Sequence, residues 1–187
     1  MDIHEYLLEK GVELQGYEFD QIFPGCKIMD IHEYLLEKGV ELKGVTGTRY
    51  MYHDPCHSPM KRHDPLKVVN TLMNSALNGS IEANERCCGE SGTLALTRPD
   101  VSTQVRFRKE QEVRSGVEQI RESGHRGAVK VLTSCPSCLQ GLARYRDDAD
   151  LEADYIVVEI ARHLLGGDWM ADYVRRANSG GIERVLV

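Results

Sequence analysis

The chain has 187 residues, of which 41% are hydrophobic and 28% are charged, and its formal net charge is −6. This size suits one globular domain with a real core, or one domain with an appendage. No apolar run reaches the length of a membrane span, and no basic stripe suggests a nucleic-acid partner. Six cysteines in a chain of this length are too few for a secreted disulfide scaffold. A CxxC motif in a sequence without a signal peptide also indicates a reducing compartment. We therefore expect a cytoplasmic protein.

An exact repeat lies at the start of the chain. Residues 1–14 read MDIHEYLLEKGVEL, and the same letters recur at 29–42. Two copies are too few for a solenoid, so we interpret the repeat as a recent duplication or an artefact of how the chain was assembled. A domain built for one such helix has one docking groove, which we expect the second copy to occupy. The predicted division is an appendage at 1–28 and a cysteine-rich domain at 29–187.

Each copy of the repeat has the signals of a short helix. In the second copy Asp30 is the predicted N-cap, and Glu33 follows three residues later as in a capping box. The apolar residues at helical spacing predict the buried face, which would consist of Ile31, Tyr34 and Leu35.

From about residue 45 the sequence alternates strand and helix patterns. Strands are predicted at 48–53, 80–84, 128–133, 155–158 and 183–187. Helices are predicted at 64–77, 99–124 and 135–145, from the end of the fourth strand to about 166, and at 168–177. Strands separated by helix-length segments favour a mostly parallel, Rossmann-like three-layer α/β sheet.

Five of the six cysteines form three groups, and each group follows a predicted strand. The gaps between successive members are 30, 0, 46 and 2 residues, and the members are Cys56, Cys87, Cys88, Cys135 and Cys138. Since parallel sheets bind ligands beyond the carboxyl ends of their strands, we expect the three groups to meet there. Adjacent cysteines form a disulfide only with strain. The pattern therefore indicates soft thiolate ligands for a metal or an iron–sulfur cluster.

Other polar residues near these cysteines have two interpretations each. His57 adjoins Cys56 and His53 lies three residues before it, so either could be a ligand or a proton donor, or an ordinary loop histidine. Glu90 could influence the chemistry of the neighbouring cysteines, or it could have a structural role in a turn. Cys26 lies outside the motif and is interpreted as a bystander thiol. Three arginines could bind a substrate carboxylate or form a solvated face of the long helix, and we favour the solvated face: Arg98, Arg106 and Arg108.

The stretches YHDPCHSP, ERCCGESG and SCPSCLQGL together resemble the cysteine-rich CCG domain family, over roughly residues 45–165. This family includes the CCG-containing subunit of heterodisulfide reductase and the iron–sulfur subunits of glycolate oxidase. The three stretches are most similar to the C-terminal part of large FAD-linked oxidases with an iron–sulfur module. The resemblance implies that the five cysteines hold an iron–sulfur cluster, for which a non-cubane 4Fe-4S type is one option. It implies an electron-transfer or thiol–disulfide redox domain of a 2-hydroxy-acid oxidase or a heterodisulfide-reductase-like enzyme.

The sequence departs from the reductase pattern in ways that concern its electron supply. It has one CCG motif where the reductase subunit has two, and it has neither a ferredoxin-like cysteine run nor a Gly-rich dinucleotide motif. We therefore expect a domain or subunit of an oxidoreductase rather than a complete enzyme. FAD would lie on a partner domain or subunit, and a homo-oligomer is a further option.

Two alternatives remain open on the sequence. Four of the five cysteines could hold Zn²⁺ in a structural module without catalysis of its own. A metal-free dithiol oxidoreductase could instead use Cys135 as the attacking thiol and Cys138 as the resolving thiol, which leaves Cys87 and Cys88 without a role.

Overall fold

Four parallel strands form the sheet of this computed structural model, which describes residues 23–27, 29–45, 47–90 and 94–180. The strands are β1 (Thr48–Tyr52), β2 (Glu82–Ala83), β3 (Ala128–Thr133) and β4 (Glu152–Tyr155). Their order across the sheet is β2-β1-β3-β4. In the β1–β3 register Thr48 pairs with Ala128, and in the β3–β4 register Lys130 pairs with Glu152. After β1 the chain forms β2 on one side of β1, and it then forms β3 on the other side. The strand order therefore reverses between β1 and β3.

Helices connect and cover the strands. In the described part of the chain they are α1 (Ile31–Glu37), α2 (Pro65–Leu72), α3 (Ser75–Asn78), α4 (Leu94–Thr97), α5 (Pro99–Glu122), α6 (Pro136–Ala143), α7 (Arg146–Ala149), α8 (Ile156–Leu165) and α9 (Trp169–Asn178). Three of them, α2, α5 and α6, begin with proline, whose fixed φ suits the first helical position. None of the described helices is long and apolar enough to cross a membrane.

The two faces of the sheet carry separate apolar cores. Tyr50 and Tyr52 of β1 point to one face and pack with α2 and α8. Met51 points to the opposite face and packs with α5 and α6. This alternation follows from the two-residue period of a strand, and it buries both faces as parallel sheets require. The predicted three-layer, mostly parallel α/β class is confirmed.

The fourth predicted strand is misplaced by three residues. Tyr155 ends β4, and the β-branched run after it forms the first turn of α8 rather than a strand. In α8 the buried side chains are Ile156, Glu159 and Ile160, at helical spacing. Packing of this face therefore outweighs the strand propensity of the run. The predicted strand at 183–187 lies outside the described residues.

The predicted helix at 64–77 is divided into α2 and α3. Asn74, between them, has a left-handed φ of 50°, which interrupts a right-handed helix. Its neighbour Met73 is buried in the core, whereas Asn74 is half-buried and Leu77 of α3 is exposed, so the chain turns towards the surface at this point.

The second copy of the repeat forms α1, but its predicted buried face is wrong in two of three residues. Ile31 and Tyr34 are 49% and 46% exposed, and Leu35 is half-buried. The buried residues are instead His32 and Glu33. Glu33 accepts hydrogen bonds from the backbone N–H groups of residues 62 and 63, at 2.6 and 3.1 Å. These hydrogen bonds between Glu33 and the backbone of residues 62 and 63 therefore orient α1. The first copy, at 1–14, lies outside the described residues.

Candidate metal centre

The carboxyl ends of three neighbouring strands bring the cysteine groups to one edge of the sheet. His53 directly follows β1, and its backbone N–H donates to the carbonyl oxygen of Leu132 in β3, at 2.9 Å. Cys88 lies in the loop after β2, and Cys138 lies in the first turn of α6, which follows β3. The position between β1 and β3, where the strand order reverses, is the crevice in which open parallel sheets bind ligands.

The centre of the site consists of two thiols and one imidazole, all buried. The sulfur atoms of Cys88 and Cys138 are 3.4 Å apart. A ring nitrogen of His53 and these two sulfurs all lie within 4.8 Å of one another. Because metal–sulfur bonds are about 2.3 Å long, two sulfurs on one ion lie up to about 4.6 Å apart. The three side chains therefore form a candidate metal-binding group.

The two ring nitrogens of His53 differ in their hydrogen bonding. Its Nδ1 lies 3.1 Å from the carbonyl oxygen of Asn84, and its Nε2 is buried with no hydrogen-bond partner among the described residues. A donor bond from Nδ1–H to a backbone carbonyl leaves the Nε2 lone pair available, which is the usual arrangement of a metal-binding histidine. An orphaned buried nitrogen beside two thiols fits a bound metal.

The remaining cysteines of the motif extend the site from the centre to the surface. Cys88 and burial raise the pKa of Cys138, with a smaller contribution from Cys135, and burial together with Cys87 and Cys88 raises the pKa of Cys56. Cys56, Cys87 and Cys135 therefore lie near the central pair. Of these three, Cys56 is exposed, and Cys87 and Cys135 are half-buried. The exposed Cys26 takes part in none of these contacts, and the exposed His57 is not among the buried ligand candidates.

The pKa values of the two central thiols, Cys88 and Cys138, are shifted in opposite directions. The hydrogen bond from Cys138 holds the pKa of Cys88 well below its usual range, against the effect of burial, with further help from His53 and the N–H of Glu90. The same bond, with burial, raises the pKa of Cys138. Their hydrogen bond therefore favours the thiolate form of Cys88 and the thiol form of Cys138. Because α6 begins beside Cys135, the positive end of its dipole adds to the preference for negative charge.

Close packing fixes the loop that carries the adjacent cysteines. Gly89 has a φ of 78°, and a Cβ there would lie 2.8 Å from the Cγ of Arg106 on α5. A Cβ on Gly141 of α6 would lie 2.6 Å from the Cγ of Glu90. The carboxylate of Glu90 pairs with Arg106 at 3.2 Å and with Arg144 at 2.5 Å. Arg106 is thus an anchor for this loop and not part of a solvated face.

A buried lysine behind the site was not predicted from the sequence. Lys109 is 0% exposed, and its Nζ lies 3.1 Å from Nδ1 of His53 and 2.8 Å from Oε2 of Glu112. Its spacing along the helix could have identified it as buried. Lys109 lies four and eight residues before Val113 and Val117, which face the core from α5. A lysine on the apolar face of a helix needs a partner in the interior.

A parallel α/β sheet with clustered thiols at its carboxyl edge defines a class of cysteine-rich domain with a candidate metal site. A family model described as a cysteine-rich domain, CCG, matches residues 50–143, about half of the chain. The chain belongs to this CCG cysteine-rich domain family. A second model, described as a domain of unknown function, DUF3400, matches residues 143–187. No significant match was found among curated proteins or among solved structures.

Proposed function

We propose that this chain is an iron–sulfur redox domain of a larger oxidoreductase. The observation that carries the proposal is the group of five thiols around the buried pair Cys88 and Cys138, with Cys135 and the exposed Cys56 close enough to interact electrostatically with it. A multi-iron cluster can use all five sulfurs, including the adjacent Cys87 and Cys88. A single tetrahedral ion cannot, since its coordination closes at four ligands.

The residues of this chain would hold and shield such a cluster. An iron–sulfur cluster supplies one-electron transfer when it is bound. The burial of Cys88 and Cys138 excludes water from the inner sulfurs, and the N–H of Gly89 lies 3.4 Å from the sulfur of Cys87, where it stabilises negative charge. The reducing cytoplasm would keep all six cysteines free, as they are in this structure.

The electron partner in this proposal is a flavin-containing domain or subunit. The sequence has no Gly-rich dinucleotide-binding motif, and the exposed Cys56 places one thiol of the motif at the surface, where a partner could approach. The enzyme would be a 2-hydroxy-acid oxidase or a heterodisulfide-reductase-like oxidoreductase, the two settings that the sequence motifs favour.

Structural zinc binding is the second candidate function. The buried His53, Cys88 and Cys138 supply three ligands of the type that zinc prefers, and one further thiol of the motif would complete a tetrahedral site. In that case two of the five motif cysteines have no metal to bind.

Six single Cys→Ser variants distinguish these functions. Each is purified without oxygen and incubated with iron and sulfide, and bound iron, bound sulfide and the visible spectrum are measured. Serine keeps the size of the side chain but is a much poorer ligand for iron. We expect all five motif variants to lose iron or change the spectrum, and Cys26→Ser to match the unchanged chain. A chain that binds zinc tightly but never takes up sulfide would refute the iron–sulfur function and support the zinc site.

A further inference from the structure

A cavity of about 500 Å³ opens beside Cys87, between the loop after β2 and one flank of α5. Its lining consists of Arg86, Cys87, Val105, Arg108 and Gln111. The volume lies within the range of about 300–1,000 Å³ that small-molecule sites occupy. Among the described residues no lining side chain is a carboxylate. The cavity therefore combines two cationic groups with one thiol, one amide and an apolar wall.

The two arginines give the cavity a fixed positive charge. A guanidinium keeps its proton in proteins, so neither charge depends on the state of the metal centre. Nη1 of Arg86 donates to the carbonyl oxygen of Arg108 at 3.2 Å, which places one guanidinium against the helical turn that carries the other. Both residues are exposed, and neither forms an ion pair with a carboxylate in the described part of the chain. Their remaining N–H groups are therefore available to a ligand.

The carboxylates near this cavity are engaged with other groups. Glu112 accepts hydrogen bonds from the backbone N–H groups of residues 85 and 86, at 2.9 and 3.2 Å. It thus binds the main chain of Arg86, and no ion pair joins these two described side chains. On the next turns of α5, Glu110 pairs with Arg114 at 2.7 Å. The guanidinium groups of the cavity therefore lack the partner that the neighbouring arginine of the same helix has.

We propose that this cavity binds a small carboxylate ligand. Arg86 and Arg108 hold the carboxylate group, because the planar guanidinium fork matches its two oxygens, and the rest of the ligand extends towards the thiol of Cys87. The lining includes neither a helix N-terminus nor a hydroxyl group, so a carboxylate fits it better than a phosphate does. Arg108 is then a binding residue, where the sequence favoured a solvated face. The site does not depend on which metal the neighbouring centre holds.

Two alkylating reagents that differ in charge test the cavity. Iodoacetate carries a carboxylate, and iodoacetamide carries a neutral amide of similar size. With either reagent the thiolate sulfur forms a bond to the CH₂ carbon, and iodide leaves. The full chain, reduced and freed of metal with a chelator, is treated with each reagent, and mass spectrometry measures the rate at each cysteine. The ratio of the two rates cancels the intrinsic reactivity of a thiol, and the exposed Cys26 is the internal reference.

The ratio of the iodoacetate rate to the iodoacetamide rate should be about tenfold higher at Cys87 than at Cys26, because two guanidinium groups attract the carboxylate. We expect Arg86→Gln and Arg108→Gln each to lower the ratio at Cys87 about threefold, the effect of one exposed ion pair. Arg176→Gln is the matched control, since it removes the same charge from an exposed position of α9 outside the cavity. Equal ratios at the two cysteines, or a high ratio that survives both cavity variants, would overturn the proposal.

Protection of Cys87 identifies the chemistry of the ligand. At constant ionic strength, succinate should slow the reaction of iodoacetamide with Cys87 and not with Cys26, and the protection should be lost in Arg86→Gln and Arg108→Gln. Protection by inorganic phosphate alone, or none by succinate, would overturn the carboxylate assignment. Circular dichroism checks folding, and the comparison of the two cysteines in the unchanged chain decides the outcome if a variant does not fold. Because these measurements use no iron or sulfide, their failure is distinct from a failure of the iron–sulfur function.

Discussion

Burial separates two histidines that have similar positions in the sequence. His53 and His57 lie on either side of Cys56, and the adjacency of His57 to Cys56 makes it the histidine that the sequence favours as a further metal ligand. In the structure His53 is 1% exposed and His57 is exposed. The difference arises because His53 continues the pairing of β1 with β3 and is covered by Lys109, 56 residues later in the chain. Contacts of that range have no local signal.

A metal titration of the metal-free protein tests the role of His53. We expect His53→Gln to weaken Co²⁺ binding about tenfold or more, because the variant removes the imidazole nitrogen beside two thiols. His57→Gln should bind Co²⁺ as the unchanged chain does, since its ring lies outside the buried group. The measurement follows the cobalt–thiolate absorption. Equal affinities of the two variants would show that His53 is not a ligand.

The meeting of Cys88 and Cys138 could be predicted because strands and thiols share a simple order along the chain. Each thiol group follows a strand, and parallel strands end at the same edge of a sheet. The polar residues behind the site, Asn84 and Lys109, could not be identified in this way. Their positions depend on how α5 packs across the sheet, and a single buried lysine resembles a surface lysine in sequence.

At the level of elements, polar contacts rather than the apolar stripe determine which face of α1 is buried. The helix begins at Asp30, whose carboxylate accepts hydrogen bonds from the N–H groups of His32 and Glu33, at 2.9 and 3.3 Å. Glu33 then attaches the helix to the loop before α2. The N-cap was predictable from local sequence, but the partner loop lies about 30 residues away. The sequence therefore predicted the helix and not the face that it buries.

The attachment of α1 predicts a large effect of one buried carboxylate. Glu33→Ala leaves two backbone N–H groups of the 62–63 loop without an acceptor, and each such loss costs about 1–3 kcal/mol. We expect the free energy of unfolding in urea to fall by about 2–4 kcal/mol in total. Glu37→Ala, one turn later and exposed, is the control and should cost less than about 0.5 kcal/mol. Similar losses in both variants would show that Glu33 does not hold the helix.

Deletion of residues 1–14 is expected to have little effect on stability. The second copy of the repeat already packs against the core, through Leu35, Leu36 and Val40. Most helical stability in proteins comes from such packing, so one occupied groove needs no second helix. We expect the urea midpoint of the shortened chain to match that of the full chain. A lower midpoint with an unchanged slope would show that the first copy contributes contacts of its own.

At the scale of the whole molecule, the alternation of strands and helices was sufficient to predict the sheet and its crevice. Both faces of the sheet are covered, and the strand order reverses beside the candidate metal centre. The sequence did not predict the polar contacts that cross the molecule. Glu159 of α8, for example, accepts a hydrogen bond from Tyr50 of β1, 109 residues earlier, at 2.8 Å. Such pairs depend on the assembled fold.

The buried carboxylates predict a loss of stability in acid. Burial alone would raise the pKa of Glu159, but hydrogen bonds from Tyr50 and Lys130 and the charges of Lys130 and Arg162 lower it below the ordinary value of 4.5. The pKa of Asp30 is lowered in the same way: its hydrogen bonds and the charge of His32 outweigh burial. The folded state therefore binds fewer protons than the unfolded state below about pH 4.5. These groups contribute full stability above that pH.

Urea unfolding at a series of pH values tests this dependence. As the pH falls below about 4.5, the unfolded chain takes up protons first, and stability decreases by up to about 1.4 kcal/mol per pH unit for each such group until the folded group also titrates. Glu159→Gln should be less stable than the unchanged chain at pH 7, because Lys130 and Arg162 lose their buried anionic partner. It should also lose less stability between pH 4.5 and 3. Glu118→Gln, at an exposed position of α5, should retain the full acid dependence. If Glu159→Gln and the unchanged chain lost stability in parallel, the acid sensitivity would come from other carboxylates.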